Sequence, residues 1–158
     1  MTNGYFVIGT DTGVGKTLVS CALLHAFAAR GESTTGMKPV AAGCESGKSE
    51  DVESLVAAST VAAPRALVNP YALSPPIAPH IAARQSGINI DMAIICKAFL
   101  ELQKIADMVI VEGIGGFLLP LEEHQDGAGM AQTKRMIDRT RVRRGDGRKT
   151  GACSARGR

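Results

Sequence analysis

A glycine-rich loop near the start of the chain contains the residues best suited to chemistry. Residues 10–17 read TDTGVGKT and end on Lys16 and Thr17. In such a loop, successive backbone N–H groups and the N-terminus of the following helix form a concave site for an anion. Lys16 would add a mobile cation for the outer phosphates, and the Thr17 hydroxyl is suited to binding Mg²⁺. The loop therefore predicts phosphate binding.

The sequence on either side of the loop supports this prediction. The usual spacing needs a glycine where this chain has Thr10, and Gly9 comes one residue too early. An ordinary glycine-rich turn between a strand and a helix is therefore the alternative. Residues 5–8 are apolar and β-branched enough for a buried strand, and residues 18–30 are apolar at helical spacing and stop at Gly31. Strand, loop and helix are the context that a phosphate-binding loop requires.

Three charged residues lie at the ends of other predicted elements. Residues 108–111 form a continuous apolar run, typical of a central parallel strand, and lead to Glu112 at its carboxyl end, where open α/β sheets hold ligands. A carboxylate in that position is costly unless a cation pairs with it. Lys38 ends a short predicted strand, although a lysine at a strand end is usually just solvated. Asp51 opens a predicted helix, where the helix dipole alone favours an acid.

The rest of the pattern divides into short elements. The second strand runs from residue 32 to Lys38 and stops at Pro39, which cannot donate to a ladder. The other predictions are a small-residue loop at 41–50, a helix over 51–58, a mostly extended proline-rich segment at 69–80, a helix beginning at Pro79 or His80, a helix within 90–105 and a short extended piece at 117–121.

Composition limits the class of protein. A chain of 158 residues with 45% hydrophobic and 21% charged residues is expected to form one globular domain. Its four cysteines are far apart and form no C-x-x-C pair, so we expect reduced thiols. The N-terminal apolar run is too short for a membrane span and lacks the basic leader of a signal peptide. We therefore expect a cytoplasmic protein.

Basic residues are concentrated at the end of the chain. Residues 133–158 contain ten Lys or Arg and two acids, and hydrophobic periodicity vanishes there. Such a segment cannot bury enough apolar surface to offset the entropy of ordering it. We therefore expect a phosphate-binding catalytic domain over 1–132 and a basic, disordered tail over 133–158. Aromatic residues make up 4% of the chain, which argues against a platform for stacking bases, and we expect no nucleic-acid or membrane partner.

Five motifs, in order along the chain, resemble the dethiobiotin synthetase family. The family's phosphate-binding loop has the same extra residue as this one. The resemblance extends from residue 3 to about residue 132 and implies an α/β fold of the P-loop NTPase type, with a three-layer parallel sheet flanked by helices. The motifs are GTDTGVGKT at 9–17, MKPVAAG at 37–43, NPY at 69–71, APHIAA at 78–83 and VEGIGGF at 111–117.

The resemblance implies an ATP- and Mg²⁺-dependent ring closure in biotin biosynthesis. Enzymes of this family are homodimeric ligases that insert CO₂ between the two amines of 7,8-diaminononanoate to form the ureido ring of dethiobiotin. A carbamate forms on one amine, ATP phosphorylates it, and the second amine attacks to close the ring. Because the reacting groups are anionic throughout, positioning and electrostatic stabilisation should dominate catalysis.

The resemblance also implies roles for individual residues. Lys16 and Lys38 match the two catalytic lysines, with Lys16 bridging the carbamate and the γ-phosphate. The implied substrate-binding residues are Thr12, Lys38 and Ala42, the last of which is a serine in many family members. The implied Mg²⁺ ligands are Thr17, Asp51 and Glu112. The implied nucleotide-binding residues are Thr12, Gly13, Val14, Gly15, Lys16, Thr17, Leu18, Asp51, Glu112, Gly113, Ile114 and Gly115.

The end of the chain departs from the family. Beyond about residue 132 the family continues with further strands and helices and with an Asn-containing loop that recognises adenine. The basic tail instead resembles an out-of-frame reading of that continuation or another truncation. We therefore expect a sheet that is incomplete at its C-terminal side and a protein that is weak or inactive alone.

Three other function classes stay open. A cobyrinic-acid-type amidoligase has a related loop but would carry a glutaminase domain. A partition-type ATPase switch usually has a second lysine in the loop, where this chain has Asp11. The third class is a nucleic-acid binder that uses the basic tail, although Lys and Arg runs are more often simply solvated.

Overall fold

The main sheet is built from parallel strands and contains the apolar run predicted to be central. The computed structural model describes residues 4–116 and 141–142. Within them, four strands pair in the order β2-β5-β1-β6, and two further strands, β3 and β4, form a small second sheet. The strands are β1 (Gly4–Gly9), β2 (Thr34–Met37), β3 (Val40–Ala42), β4 (Tyr71–Leu73), β5 (Met108–Gly116) and β6 (Arg141–Val142).

Five helices lie among the described residues. α5 is capped by Asp91, whose side chain accepts from the backbone N–H of Ala93 at 2.7 Å. α4 begins at Pro79, as the sequence predicts, because the fixed φ of proline suits a first helical turn. The helices are α1 (Lys16–Ala28), α2 (Glu50–Ala58), α3 (Arg65–Val68), α4 (Pro79–Gln85) and α5 (Met92–Ile105).

Strand β5 lies between β2 and β1, and its side chains alternate between the two faces of the sheet. Met108 and Ile110 pack in one apolar cluster with residues of α1 and α2. Val109 and Val111 pack in a second cluster with Phe99 of α5 and its neighbours. Burial on both faces explains the continuous apolar run, and it yields helices, sheet and helices as three layers. The predicted α/β fold of the P-loop NTPase type is therefore confirmed.

The register of β5 fixes what lies beside Glu112, which is in the middle of this strand. All pairings in the main sheet are parallel, with Met37 of β2 opposite Val111 and Val7 of β1 opposite Glu112. The residue after Met37 is Lys38, so the end of β2 leads Lys38 to the level of Glu112. Parallel pairing therefore places Lys38 and Glu112 next to each other, at the point where β2 ends.

Three local predictions differ from the structure. The small-residue loop predicted at 41–50 is wrong at its start, because Val40–Ala42 forms β3 and pairs in parallel with β4. Helix α3 was not predicted, since four residues after Pro64 are too short a stretch to show helical periodicity. The predicted strand at 5–8 and the predicted helix within 90–105 are confirmed. The strand predicted at 108–111 is also confirmed, but the expectation that Glu112 lies at its carboxyl end is wrong, because β5 continues through the glycine-rich residues to Gly116.

The division at residue 132 stays a prediction. Residues 141 and 142 form β6, which pairs in parallel with Tyr5 and Phe6 of β1. The rest of the predicted tail, the extended piece at 117–121 and the expected incompleteness of the sheet concern residues outside those described. Among the described residues, none of the helices combines the length and apolar character needed to cross a bilayer.

A hydrogen-bonded pair joins the starts of β2 and β5. The Asp107 carboxylate accepts from the backbone N–H of Ser33 at 2.9 Å and from the Ser33 hydroxyl at 2.6 Å. The Asp107 N–H donates to the Ser33 hydroxyl at 2.9 Å. These bonds from Ser33 hold the pKa of Asp107 below its ordinary value.

We predict that Asp107→Asn lowers the free energy of unfolding at neutral pH and that the deficit shrinks in acid. The Asp107 pKa is lower in the folded chain, so its contribution is present above the unfolded pKa and is lost as pH falls through the folded pKa. Urea unfolding of both proteins from pH 7 to about pH 3 measures the difference. Substitution of an exposed acid, Glu45→Gln, is the control. A deficit that is the same at every pH would contradict the prediction.

Candidate functional site

The glycine loop connects the end of β1 to the start of α1. Gly13 and Gly15 have φ values of +76° and +91°, in the left-handed region that favours glycine. A Cβ on Gly9 would lie 2.6 Å from Val14 Cγ2 and 3.1 Å from Lys16 Cγ. The loop therefore folds back over Gly9, and this close approach gives a physical reason for a glycine one residue earlier than the usual spacing.

The Lys16 ammonium is bound to the loop itself. Lys16 is buried, and its Nζ donates to the carbonyl oxygen of Asp11 at 2.6 Å. An anion seated in the loop would compete with this carbonyl for the same ammonium group. The positive charge of Lys16 also acts on Asp51, whose pKa it helps to lower.

Four side chains meet beside the first turn of α1, and we call Thr17, Lys38, Asp51 and Glu112 the carboxylate cluster. The Thr17 Oγ1 lies 3.0 Å from Asp51 Oδ1 and 3.0 Å from Glu112 Oε1. With one proton, this hydroxyl donates to one carboxylate at a time. Lys38 Nζ donates to Glu112 Oε1 at 2.8 Å and forms an ion pair with Asp51 Oδ2. The cluster is one connected network.

Strand alternation explains why these side chains share a face. Glu112 is two residues after Ile110, which packs on the α1 and α2 side of the sheet. Lys38 is likewise two residues after Gly36, where an added Cβ would meet Leu55 of α2 and Leu24 of α1. Both side chains are thus directed toward the helices that carry Thr17 and Asp51.

Burial and charge are unevenly distributed in the cluster. The side chains of Lys38 and Glu112 are 7% and 1% exposed, whereas that of Asp51 is 46% exposed. Burial raises the pKa of Asp51, but the hydrogen bond and charge of Lys38, with help from Thr17 and Lys16, outweigh it, and the pKa is lowered. The cluster therefore keeps Asp51 ionised.

The donor set fits a hard divalent cation. One hydroxyl and two carboxylates supply oxygen ligands of the kind that Mg²⁺ prefers, with room for retained waters. Glu112 Oε2 is buried and has no hydrogen-bond partner among the described residues. An unpaired buried carboxylate oxygen is costly, and a cation would satisfy it. Within residues 4–116 and 141–142, no three or more His, Cys, Asp and Glu side chains are grouped so that they could hold a metal ion. The carboxylate cluster has two such side chains, Asp51 and Glu112, and its third oxygen ligand would be the Thr17 hydroxyl.

The other predicted site residues lie outside the hydrogen-bonded cluster. Thr12, Val14 and Leu18 are exposed on the loop and on the first turn of α1, where Leu18 is 75% exposed. Gly113, Ile114 and Gly115 continue β5 beyond Glu112. An added Cβ at Gly113 would lie 3.1 Å from the Phe6 ring, and Ile114 packs against the apolar cluster that contains Val109 and Val111. Ala42 ends β3.

Two contacts at the site had no individual signal in the sequence. The Asp11 carbonyl that holds Lys16 belongs to the backbone, so its residue type carries no information about the contact. Asn69 donates from its side chain to the Lys38 carbonyl oxygen at 2.7 Å. Its motif at 69–71 marked the position, but the contact partner depends on the tertiary fold.

Comparison with known proteins agrees with this geometry. The model of a family described as AAA domain matches residues 3–135, a range that includes the loop and the whole carboxylate cluster. The chain belongs to this AAA domain family. Within the family, the predicted resemblance to dethiobiotin synthetases is also confirmed, because named relatives carry that activity in their names.

Three of these relatives show how similar their sequences are to this chain. ATP-dependent dethiobiotin synthetase BioD of Nitrosospira multiformis is 64% identical over 132 residues, which are 84% of this chain and 58% of that protein. The proteins of the same name from Aromatoleum aromaticum and Xanthomonas oryzae pv. oryzae are 51% and 46% identical, each over 81% of this chain and 59% of the relative. The chain thus spans somewhat under three fifths of the length of these relatives.

We predict that Lys38→Met destabilises the AAA domain by about 3–5 kcal/mol, because it leaves the buried Glu112 carboxylate without its cation. Urea unfolding at pH 7 without nucleotide measures the loss. Lys48→Met removes an exposed lysine and is the matched control, expected to change the free energy of unfolding by less than about 0.5 kcal/mol. Equal losses in the two variants would show that the buried ion pair contributes nothing.

Proposed function

We propose that this chain takes part in ATP-dependent dethiobiotin synthesis, binding ATP at the glycine loop and Mg²⁺ at the carboxylate cluster. One observation carries the proposal. The Thr17 hydroxyl, next to the loop lysine, lies 3.0 Å from two carboxylate oxygens supplied by different elements. A hydroxyl and acidic side chains meeting beside a phosphate loop are the arrangement that a nucleotide–metal complex needs.

The loop is proposed to hold the phosphates of the nucleotide. The backbone N–H groups of residues 12–17 and the start of α1 supply fixed dipoles, and Lys16 supplies a charge that its bond to the Asp11 carbonyl keeps nearby. When bound, Mg²⁺ would neutralise phosphate charge. Thr17, Asp51 and Glu112 are proposed to hold that ion, and the unpaired Glu112 Oε2 supports this assignment.

Lys38 is proposed to act on the second substrate. In the dethiobiotin synthetase reaction, one amine of 7,8-diaminononanoate adds to CO₂ to give a carbamate, and a carbamate oxygen takes the γ-phosphoryl group while ADP leaves. The second amine then attacks the carbonyl carbon, phosphate leaves, and the ring closes. Lys38 lies beside the proposed Mg²⁺ ligands, where an ammonium group would stabilise the anionic carbamate. Thr12 and Ala42 are proposed to line the path of the diamine.

Two less specific proposals concern assembly and compartment. We propose a homodimer, which the apolar side chains exposed near the start of α1 support: Val14, Leu18 and Val19 are 52%, 75% and 50% exposed. We propose the cytoplasm as the compartment, since Cys21 and Cys44 are free thiols.

The test is binding followed by turnover. Isothermal titration measures Mg·ATP binding, and release of ADP is then followed with CO₂ and 7,8-diaminononanoate present. We expect Mg·ATP binding that Lys16→Met weakens. We also expect weak ADP release that requires the diamine and falls by about a further 100-fold or more in Lys38→Met. Lys48→Met makes the same substitution at an exposed lysine and should retain Mg·ATP binding and diamine-dependent ADP release.

Two results would contradict the proposal. Absence of Mg·ATP binding by the folded wild-type chain would remove its basis. ATP hydrolysis that proceeds equally without the diamine, with dimer formation controlled by ATP alone, would instead favour a partition-type switch.

A further inference from the structure

Lys38 lies at a junction where the backbone changes from one sheet to the other. β2 ends at Met37 in the main sheet, and β3 begins at Val40 in the small sheet. Lys38 and Pro39 therefore belong to neither ladder. The end of β2 sets the direction of the Lys38 side chain, but the Lys38 peptide groups belong to no ladder, so contacts outside the strands must hold its backbone.

The hydrogen bonds of the Lys38 peptide groups identify what holds the link. The Lys38 N–H donates to the carbonyl oxygen of Val68 at 2.8 Å. The Lys38 carbonyl oxygen accepts from the Asn69 side-chain amide at 2.7 Å. Both polar groups of the Lys38 backbone are thus bound by two consecutive residues at the end of α3.

Two prolines leave this part of the chain short of backbone N–H donors. The β3–β4 register pairs Val40 with Tyr71, so its backward extension places Pro39 beside Pro70 and Lys38 beside Asn69. Neither proline has an N–H to donate. The Asn69 side-chain amide supplies donors there, bonding the Tyr71 carbonyl oxygen at 3.2 Å as well as that of Lys38.

Asn69 is itself held firmly. It is 8% exposed, and its backbone N–H donates to the carbonyl oxygen of Arg65 at 2.8 Å. This hydrogen bond closes the C-terminal end of α3. The Tyr71 N–H donates to the Pro39 carbonyl oxygen at 3.0 Å on the other side of the link. Hydrogen bonds with residues 68–71 therefore hold the link at Lys38 and at Pro39.

We propose that Asn69 is a positioning residue, which fixes the Lys38 backbone so that the Lys38 ammonium meets Glu112 and Asp51. The catalytic consequence rests on the function proposed above, whereas the effect on the position of Lys38 does not. In the hydrogen bonds described, the Asn69 side chain contacts the carbonyl oxygens of Lys38 and Tyr71 and none of the charged atoms of the carboxylate cluster. Its influence on the cluster therefore passes through the Lys38 main chain.

The first test reads the position of Lys38 without any nucleotide. Nitrogen-15 NMR of lysine ammonium groups reports on the Lys38 ion pairs, and loss of one signal in Lys38→Met assigns it. Asn69→Asp keeps the shape of the side chain but cannot donate to the two carbonyl groups. We expect it to shift or broaden the Lys38 signal, and Asn69→Ala to do the same if the aspartate variant does not fold. Asn89→Asp, at an exposed asparagine, should leave the signal in place.

The second test separates positioning from general destabilisation. In folded Asn69→Asp we expect kcat to fall about 10- to 100-fold with the KM for ATP unchanged, since a small misplacement of a catalytic group costs rate rather than nucleotide binding. In a Lys38→Met background the same substitution should leave the residual kcat unchanged. A lowered Tm with an unmoved Lys38 signal, or kcat losses that multiply in the double variant, would overturn the inference. If the wild-type chain shows no turnover, the proposed function fails while the NMR test still decides the inference.

Discussion

The ion pair between Lys38 and Glu112 is the interaction on which the proposed site depends. Both side chains are almost fully buried, and their charged atoms are 2.8 Å apart. A carboxylate buried alone in the middle of β5 would cost several kcal/mol, so Glu112 is tolerable there because Lys38 lies beside it. Two further residues contact the same atoms: Thr17 contacts the Glu112 Oε1 oxygen, and Asp51 contacts the Lys38 ammonium group.

The sheet constrains the geometry of this pair more than any local feature does. Parallel pairing of β2 with β5 sets Lys38 level with Glu112, and the alternation of side chains turns both toward α1 and α2. A shift of one residue in that register would direct Glu112 toward the opposite apolar layer. The buried packing of Ile110 on one face and of Val111 on the other therefore stabilises the site as well as the core.

Much of this arrangement was predictable from sequence, and the remainder depends on contacts distant along the chain. The run at 108–111 indicated a buried strand, and the glycines at 10–17 indicated a loop between a strand and a helix, because burial on two faces and glycine spacing leave local patterns. The contact of Lys38 with Glu112 joins residues far apart in sequence, so only the family resemblance grouped them. Strand β3 was missed because Ala41 and Ala42 are small residues at the start of a glycine- and serine-rich stretch that resembles a loop. The contact of Asn69 with Lys38 has no periodic signature.

The central claim, that Lys38 and Glu112 are energetically coupled, is tested most directly by a double-mutant cycle on the free energy of unfolding at pH 7. Lys38→Met, Glu112→Gln and the double variant complete the cycle with the wild type. The account predicts a coupling of at least about 1 kcal/mol, with the double variant less destabilised than the sum of the single variants, since removing both charges leaves neither one unpaired. Additivity within about 0.5 kcal/mol would contradict it, because that result is expected of side chains that do not interact.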